Sequence, residues 1–227
     1  LLNEAGFENV TVAGDTRFDR VIDIKAANKE IPEIEAFRND ASLLFMAGSS
    51  WPEDEAVYTP WLKSHPEVKG VIAPHEFDAR RLEELKTLYD GKAVLLSEVK
   101  SDPAAAEGKQ VMIIDCFGLL SSAYSYADVA YVGGAFGSGL HNINEAAVYG
   151  IPVVFGPRYD KFIEAGEMID LGGAISIDSA DSFQRRADRL LYDEKERKER
   201  GKWAGDYIRE KTGASDIIYK SIGLGKN

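Results

Sequence analysis

Short apolar runs alternate along the chain with longer segments of helical period, and this alternation constrains the fold more than any single motif does. The runs predict strands at Val10–Ala13, Ser42–Ala47, Gly70–Ala73, Ala93–Leu96, Val111–Asp115, Val129–Val132, Pro152–Phe155 and Ala174–Ile177. Between them, helices are predicted at Glu53–Ser64, Asp78–Tyr89, Gly118–Tyr126, Asn142–Tyr149, Asp160–Leu171, Ser179–Tyr192 and Glu194–Lys211. Most runs are Val/Ile-rich and unbroken, as strands are when helices cover both faces of their sheet. The order is that of repeated βαβ units. It predicts an α/β fold, a Rossmann-like, doubly wound, mostly parallel sheet formed by residues 1–227.

Composition narrows the function. At 227 residues, with 44% hydrophobic and 29% charged, the chain has material for a sizeable core and is not wholesale disordered. Lys+Arg 27 against Asp+Glu 38 gives a formal charge of −11, which argues against nucleic acid as a partner while leaving room for a local anion pocket. Cys116 is the only cysteine, so no internal disulfide is possible and a reducing compartment fits. No run of about 18 apolar residues occurs, and no signal peptide is expected. Leu1–Phe7 reads as the last turn of a helix closed by Gly6. A helix ending there implies one begun upstream, so a fragment is expected, a short frayed terminus being the alternative. Lys100–Lys109 reads as a surface loop, and Asp193–Arg200 as a solvated helix face.

In an open parallel sheet, ligands bind beyond the carboxyl ends of the strands. Four strand exits carry polar groups. The first is Gly48-Ser49-Ser50-Trp51-Pro52-Glu53-Asp54-Glu55, where backbone N–H groups and the two hydroxyls suit an anion, or where serine simply caps a helix. The second is Ala73-Pro74-His75-Glu76, with His75 at the rim as a ligand contact or an ordinary surface residue. The third and densest places Gly133, Gly134, Gly137 and Gly139 within seven residues, with Ser138 among them. His141, Asn142, Asn144 and Glu145 follow at the start of a helix. Such a loop brings backbone close to a ligand, the helix N-terminus offers free N–H groups to phosphate, and a carboxylate one turn in can accept from sugar hydroxyls. The alternative is a flexible loop. The fourth is Gly156-Pro157-Arg158, where Arg158 brings a positive charge to the same mouth.

Other chemistries lack their signatures. No GxGxxG follows the first predicted strand, and no GxxxxGK[ST] or GxSxG occurs. His65, His75 and His141 have no metal-ligand spacing, so neither metal nor cofactor is expected. Cys116 has no histidine near it in sequence and reads as a structural thiol.

At these residues the chain resembles the C-terminal, donor-binding half of the 3-deoxy-D-manno-octulosonic acid (Kdo) transferases, two-Rossmann-domain glycosyltransferases of the GT-B fold. The resemblance runs through Glu8-Asn9-Val10, Gly14–Asp19, Asp115, Gly118, Ala127-Asp128, Val132-Gly133-Gly134, His141-Asn142, Glu145-Ala146, Ile151-Pro152-Val153 and Gly156-Pro157. It covers essentially the whole chain. It departs at Trp51, where the family has histidine, at Pro74-His75-Glu76, where an arginine is missing, and at Gly139-Leu140-His141-Asn142, after a shorter glycine loop.

The resemblance implies a donor, CMP-Kdo, and an acceptor, a lipid A precursor, at the cytoplasmic face of the inner membrane in lipopolysaccharide core biosynthesis. It implies an inverting transfer whose general base lies in an N-terminal domain absent from this chain. No catalytic residue is therefore expected here. The substrate-binding residues would be Ser49, Ser50, His75, Gly137, Ser138, Gly139, His141, Asn142, Asn144 and Glu145. Two other readings stand beside it. One is the donor domain of another nucleotide-sugar enzyme, a UDP-sugar transferase or 2-epimerase. The other is a non-enzymatic interaction domain.

Overall fold

A computed structural model of the chain describes residues 2–39, 41, 43–137 and 139–223. In chain order the elements are α1 (Thr16–Ala26), α2 (Pro32–Arg38), β1 (Leu43–Ser50), α3 (Pro52–Ser64), β2 (Val68–Pro74), α4 (Ala79–Thr87), β3 (Ala93–Leu95), α5 (Leu96–Ser101), β4 (Val111–Ile113), α6 (Leu120–Ala123), β5 (Val129–Val132), α7 (Asn144–Ala147), β6 (Val153–Phe155), α8 (Ile163–Asp170), β7 (Ala174–Ser176), α9 (Ala180–Tyr192), α10 (Glu194–Glu210) and α11 (Ala214–Ser221). The seven strands form one sheet in the order β3-β4-β2-β1-β5-β6-β7. Every pairing is parallel.

The unbroken apolar runs are explained by burial on two sides. Leu44 and Met46 of β1 face one core layer, with Phe18 of α1, Ile34 of α2 and Met168 of α8. Leu43, Phe45 and Ala47 face the other, with Tyr58 and Trp61 of α3 and Phe183 of α9. Successive side chains of a strand point to opposite faces, so a strand covered on both sides must be apolar at every position. In the second layer the Phe45 ring meets Tyr58, Trp61 and Phe183 at centroid distances of 5.4, 6.0 and 5.8 Å. These tilted and edge-on contacts add to simple area burial.

Four expectations are corrected. Val10–Ala13 is not a strand; Val12 is 88% exposed. A β-prone stretch becomes a strand only against a partner, and this one pairs with none of the seven strands. The chain enters α1 instead, which Asp15 caps by accepting the Arg17 N–H at 2.8 Å. The helix predicted at Asn142–Tyr149 contracts to the four residues of α7, whose N-cap Ile143 supplies no side-chain bond. The segment predicted at Gly118–Tyr126 divides into α6 and a 3₁₀ turn at Tyr124–Tyr126. Lys100–Lys109 is not all loop, because α5 reaches Ser101 and a 3₁₀ turn fills Pro103–Ala106. Helices α1, α2, α5 and α11 have no counterpart among the helices expected from sequence.

Residues 2–6 form a hydrogen-bonded turn rather than a helix. Gly6 sits at φ +87°, and Phe7 and Gly6 donate to the carbonyls of Leu2 and Asn3, each at 3.1 Å. At the other end, α11 is tied to α1. The Asp19 carboxylate accepts the N–H groups of Gly213 and Ser215 at 2.6 and 2.7 Å. Among the described residues, no helix is long and apolar enough to cross a membrane.

The order of the strands places the site. From β1 the chain passes to β2, then to the edge strand β3, comes back inward as β4 between β3 and β2, and crosses to the opposite side of β1 as β5. The reversal leaves a crevice between the carboxyl ends of β1 and β5, where open α/β sheets bind ligands.

Candidate functional site at the β1–β5 crevice

The polar exits of β1 and β5 form the two sides of this crevice, and those of β2 and β6 reach it through His75 and Arg158. On the β1 side the register slips between Gly48 and Ser50, so Ser49 bulges out of the ladder. Ser49 is one of two non-glycine residues at positive φ among the described residues, at +51°. Such a conformation costs of order 1–3 kcal/mol and persists only where surrounding contacts fix it. On the β5 side Gly134 turns at φ +95°. Its carbonyl accepts the N–H groups of Gly137 and Gly139 at 3.0 and 2.9 Å. A Cβ at Gly134 would lie 2.1 Å from the Gly139 carbonyl oxygen, so only glycine fits the centre of this coil.

Asp54 fastens the two sides together. Its carboxylate is 1% exposed and accepts three hydrogen bonds. They come from the Trp51 and Gly134 N–H groups, each at 2.9 Å, and from the Tyr131 hydroxyl at 2.8 Å. Burial, then the charge of Asp54, pushes the Tyr131 phenol up, so it stays a donor. Glu55, one residue on, is also buried and is paired with Arg81 of α4. Burial pushes the Glu55 carboxyl above the usual carboxylate range, although Arg81 opposes the shift.

Three rings line the mouth. His75 stacks on Trp51 with centroids 4.5 Å apart, and on His141 at 4.6 Å. The Trp51 indole N–H donates to His141 Nε2 at 3.2 Å, which leaves that nitrogen unprotonated. Burial, and next the neighbouring His75, push the His141 imidazole down, toward the neutral form this bond requires. Glu145 lies in the first turn of α7. Its carboxylate accepts from the Ser121 hydroxyl and from Asn142 Nδ2, the latter at 3.2 Å. Arg158 reaches the glycine coil from beyond β6, its backbone N–H donating to the Ala135 carbonyl at 3.0 Å and its Nη1 to the Gly137 carbonyl at 3.4 Å.

The predicted residues therefore separate. His75, His141, Asn142 and Glu145 come together with the glycine coil of Gly137 and Gly139. Ser49 stands at the rim with its side chain partly exposed. Ser50 is a correction: its hydroxyl is buried, donates to Glu55 Oε1 at 3.2 Å and accepts from Tyr58 at 3.2 Å. Only its backbone serves the rim, where its carbonyl accepts the His75 N–H at 2.9 Å. Asn144 is fully buried, and neither its Oδ1 nor its Nδ2 has a partner among the described residues. Ser138 lies outside the described residues, as does Ser42 of the first sheet run. Cys116 is exposed after β4, two strands from β1. In the sequence Asp54 stands out only as a first-turn acid, and Ser121 does not stand out at all. The partners that define both are 80 and 24 residues distant in the chain.

The contraction of α7 changes the chemistry on offer. A four-residue helix has little macrodipole, and the N–H groups of Gly134, Gly137, Gly139 and His141 are already given to Asp54 and to backbone carbonyls, so an anion here would meet the Arg158 guanidinium and only the remaining N–H groups of the coil. The Glu145 carboxylate can accept from vicinal hydroxyls, and the three rings offer a stacking face. Among the described residues, no group of three His, Cys, Asp or Glu is placed to hold a metal ion.

No family model matches the chain. Curated relatives do. The 3-deoxy-D-manno-octulosonic acid transferase of Rickettsia bellii is 29% identical over 204 residues, 83% of this chain and 46% of the relative. That of Chlamydia trachomatis serovar D is 30% identical over 165 residues, 67% of this chain and 37% of the relative. The chain is homologous to the Kdo transferases. It spans less than half the length of these relatives. Among solved structures, the C-terminal CMP-Kdo binding domain of WaaA from Acinetobacter baumannii is covered completely by 79% of this chain, with a TM-score of 0.63 at 22% identity. A putative UDP-N-acetylglucosamine 2-epimerase from Listeria monocytogenes reaches 0.62 at 13% identity, with 95% of this chain and 54% of that one covered. At these identities the structural likeness establishes the fold, that of a GT-B glycosyltransferase C-terminal domain.

Proposed function

We propose that residues 1–227 form the donor-binding half of a Kdo transferase, taking CMP-Kdo in the β1–β5 crevice. The observation that carries this reading is the convergence of Glu145, His141, Asn142 and the Gly134-centred coil at the switch point of a chain homologous to Kdo transferases. In this reading Glu145 accepts from the ribose hydroxyls. Arg158, with the N–H groups of the coil that are not spent on internal acceptors, holds the phosphate, and the Trp51–His75–His141 rings flank the donor. Ser49 and the Ser50 backbone form the opposite lip. Asn144, buried at the start of α7, underlies the site without touching the donor. The acceptor, a lipid A precursor at the inner membrane, and the general base belong to the other half of the parent enzyme. A base must lie within hydrogen-bond reach of the acceptor hydroxyl, so this chain alone binds donor and transfers nothing. Binding is weak without the partner half to close over the donor and exclude water.

Calorimetric titration of the chain with CMP and with UMP tests the reading. CMP should bind at least tenfold more tightly than UMP. Equal or reversed preference would assign the crevice to a uridine-nucleotide donor, and no binding of either at millimolar concentration would remove the nucleotide altogether. Kdo transfer by this chain alone, assayed with CMP-Kdo and a lipid A precursor, would show the base to lie within it.

A further inference from the structure

The carboxyl rim of the sheet carries a second concavity, at its β7 edge. A cavity of about 580 Å³ opens between the exit of β7 and the first turns of α9, lined by Ser176, Asp178, Ser182, Arg185, Arg186 and Arg189. Its size is that of a small-ligand pocket. On a helix, positions 182, 185, 186 and 189 share one face, so the three guanidiniums crowd together rather than spreading around α9. Like charges three and four residues apart cost a helix about 0.2–0.5 kcal/mol per pair. Arg189 offsets this cost by pairing with Glu196 of α10. Arg185 and Arg186 are exposed and, among the described residues, close no such pair. Asp178 is the one acid in the lining and, among the described residues, forms no ion pair with Arg185 or Arg186. The Ser182 hydroxyl is committed to the turn, where it accepts the N–H groups of Asp178 and Ser179 at 3.0 Å each.

Two uncommitted guanidiniums facing a cavity on a chain of net charge −11 need a reason. A planar guanidinium matches a phosphoryl group with two parallel N–H···O bonds, and two such forks can share one phosphate. The geometry points to a phosphate-binding site at the β7–α9 edge, formed by Arg185 and Arg186, for a ligand carrying a phosphomonoester or phosphodiester. β7 stands two strands from β5, so the site lies on the same rim as the nucleotide crevice, roughly 10 Å from the β5 exit at the usual ~4.8 Å strand spacing. It is independent of the donor assignment, because none of its residues lines that crevice.

The phosphate can belong to a soluble metabolite or to a lipid headgroup, and two arms separate these. The chain is titrated with inorganic phosphate by calorimetry, and is sedimented with phosphatidylglycerol–phosphatidylcholine vesicles and with phosphatidylcholine alone. Binding to phosphate, or to the anionic vesicles only, is expected, and it should weaken at 200 mM salt relative to 50 mM. Phosphate binding without sedimentation assigns a soluble ligand; sedimentation that excess phosphate reverses assigns a headgroup. In R185Q/R186Q the affinity should fall at least tenfold. R20Q/K195Q makes the same change of net charge at exposed positions on α1 and α10 and should bind as the parent does. The site is overturned if the parent binds neither probe, or if both double variants lose the same affinity. Matching circular dichroism spectra of the two variants confirm that α9 still folds.

Discussion

Asp54→Asn isolates the device that joins the two lips of the crevice. The carboxylate is buried and receives three hydrogen bonds, with no cation paired to it among the described residues. Two effects oppose each other. Removing the charge relieves the desolvation of a buried carboxylate, which favours the variant. Against this, hydrogen bonds to a charged acceptor are worth about 1.5–3 kcal/mol each and neutral ones about 0.5–1.5. The amide oxygen can take the place of Oδ2 and accept from Trp51 and Gly134, but Nδ2 then faces Tyr131 as a second donor. The phenol must turn its proton away, into a buried site. At about 1 kcal/mol for each of the three weakened bonds, the loss is roughly 2–4 kcal/mol. For a chain of this size 1 kcal/mol moves the melting temperature by about 2–4 °C, so Asp54→Asn should melt roughly 5–15 °C lower at pH 7. Asp54→Ala leaves all three donors unmatched and should fall further. Because Gly134 is the pivot of the glycine coil, CMP affinity should drop in the same variants below their melting points. Thermal melts followed by circular dichroism, with titrations at 15 °C below each midpoint, measure both. An Asp54→Asn chain that melts within 2 °C of the parent, or above it, would mean that desolvation outweighs the three bonds, and the argument for Asp54 as the fastener would fail.

Three further outcomes are expected. Glu145→Gln keeps its contacts with Ser121 and Asn142 in outline but removes the charge offered to a diol, so CMP affinity should fall about tenfold or more, worth about 1.4 kcal/mol per decade; unchanged affinity with a lowered melting point would reduce Glu145 to a local structural role. Stability should decline as pH falls from 7 toward 5. The His141 imidazole is pushed below its ordinary 6.5 in the folded chain, so the unfolded state binds the extra proton first, and His141→Gln, which preserves an acceptor for Trp51, should flatten that decline. Gly134→Ala should fail to bind CMP and lose several degrees of melting temperature, since its Cβ would meet the Gly139 carbonyl; retention of parental binding would show that the coil relaxes.

The strands were legible because their signal is local. A run such as Leu43–Ala47 is apolar at each position whichever neighbours it finds, and only burial on both faces makes that pattern stable. The glycine coil was legible for the same reason, since a tight turn restricts the residues that form it. Helices α1 and α11 were not. Each stands on a narrow apolar stripe, and α11 is fixed by Asp19, which is nearly two hundred residues away in the chain. Val10–Ala13 shows the converse: a strand propensity without an edge to pair with stays exposed and outside the sheet.

By itself, the sequence determined which segments could be buried strands, where the backbone must turn through glycine, and that the chain is acidic. The strand order was a tertiary decision, because parallel pairing joins residues distant in the chain and no local pattern records which edge β5 joins. That decision brought Asp54 to Gly134, Ser121 to Glu145 and Trp51 to His141, and turned the Ser50 hydroxyl inward. Residue type supplies the hydrogen-bonding capacity of each of these groups; the packing of two helical layers on a twisted sheet decides which of them are buried together and which face the ligand.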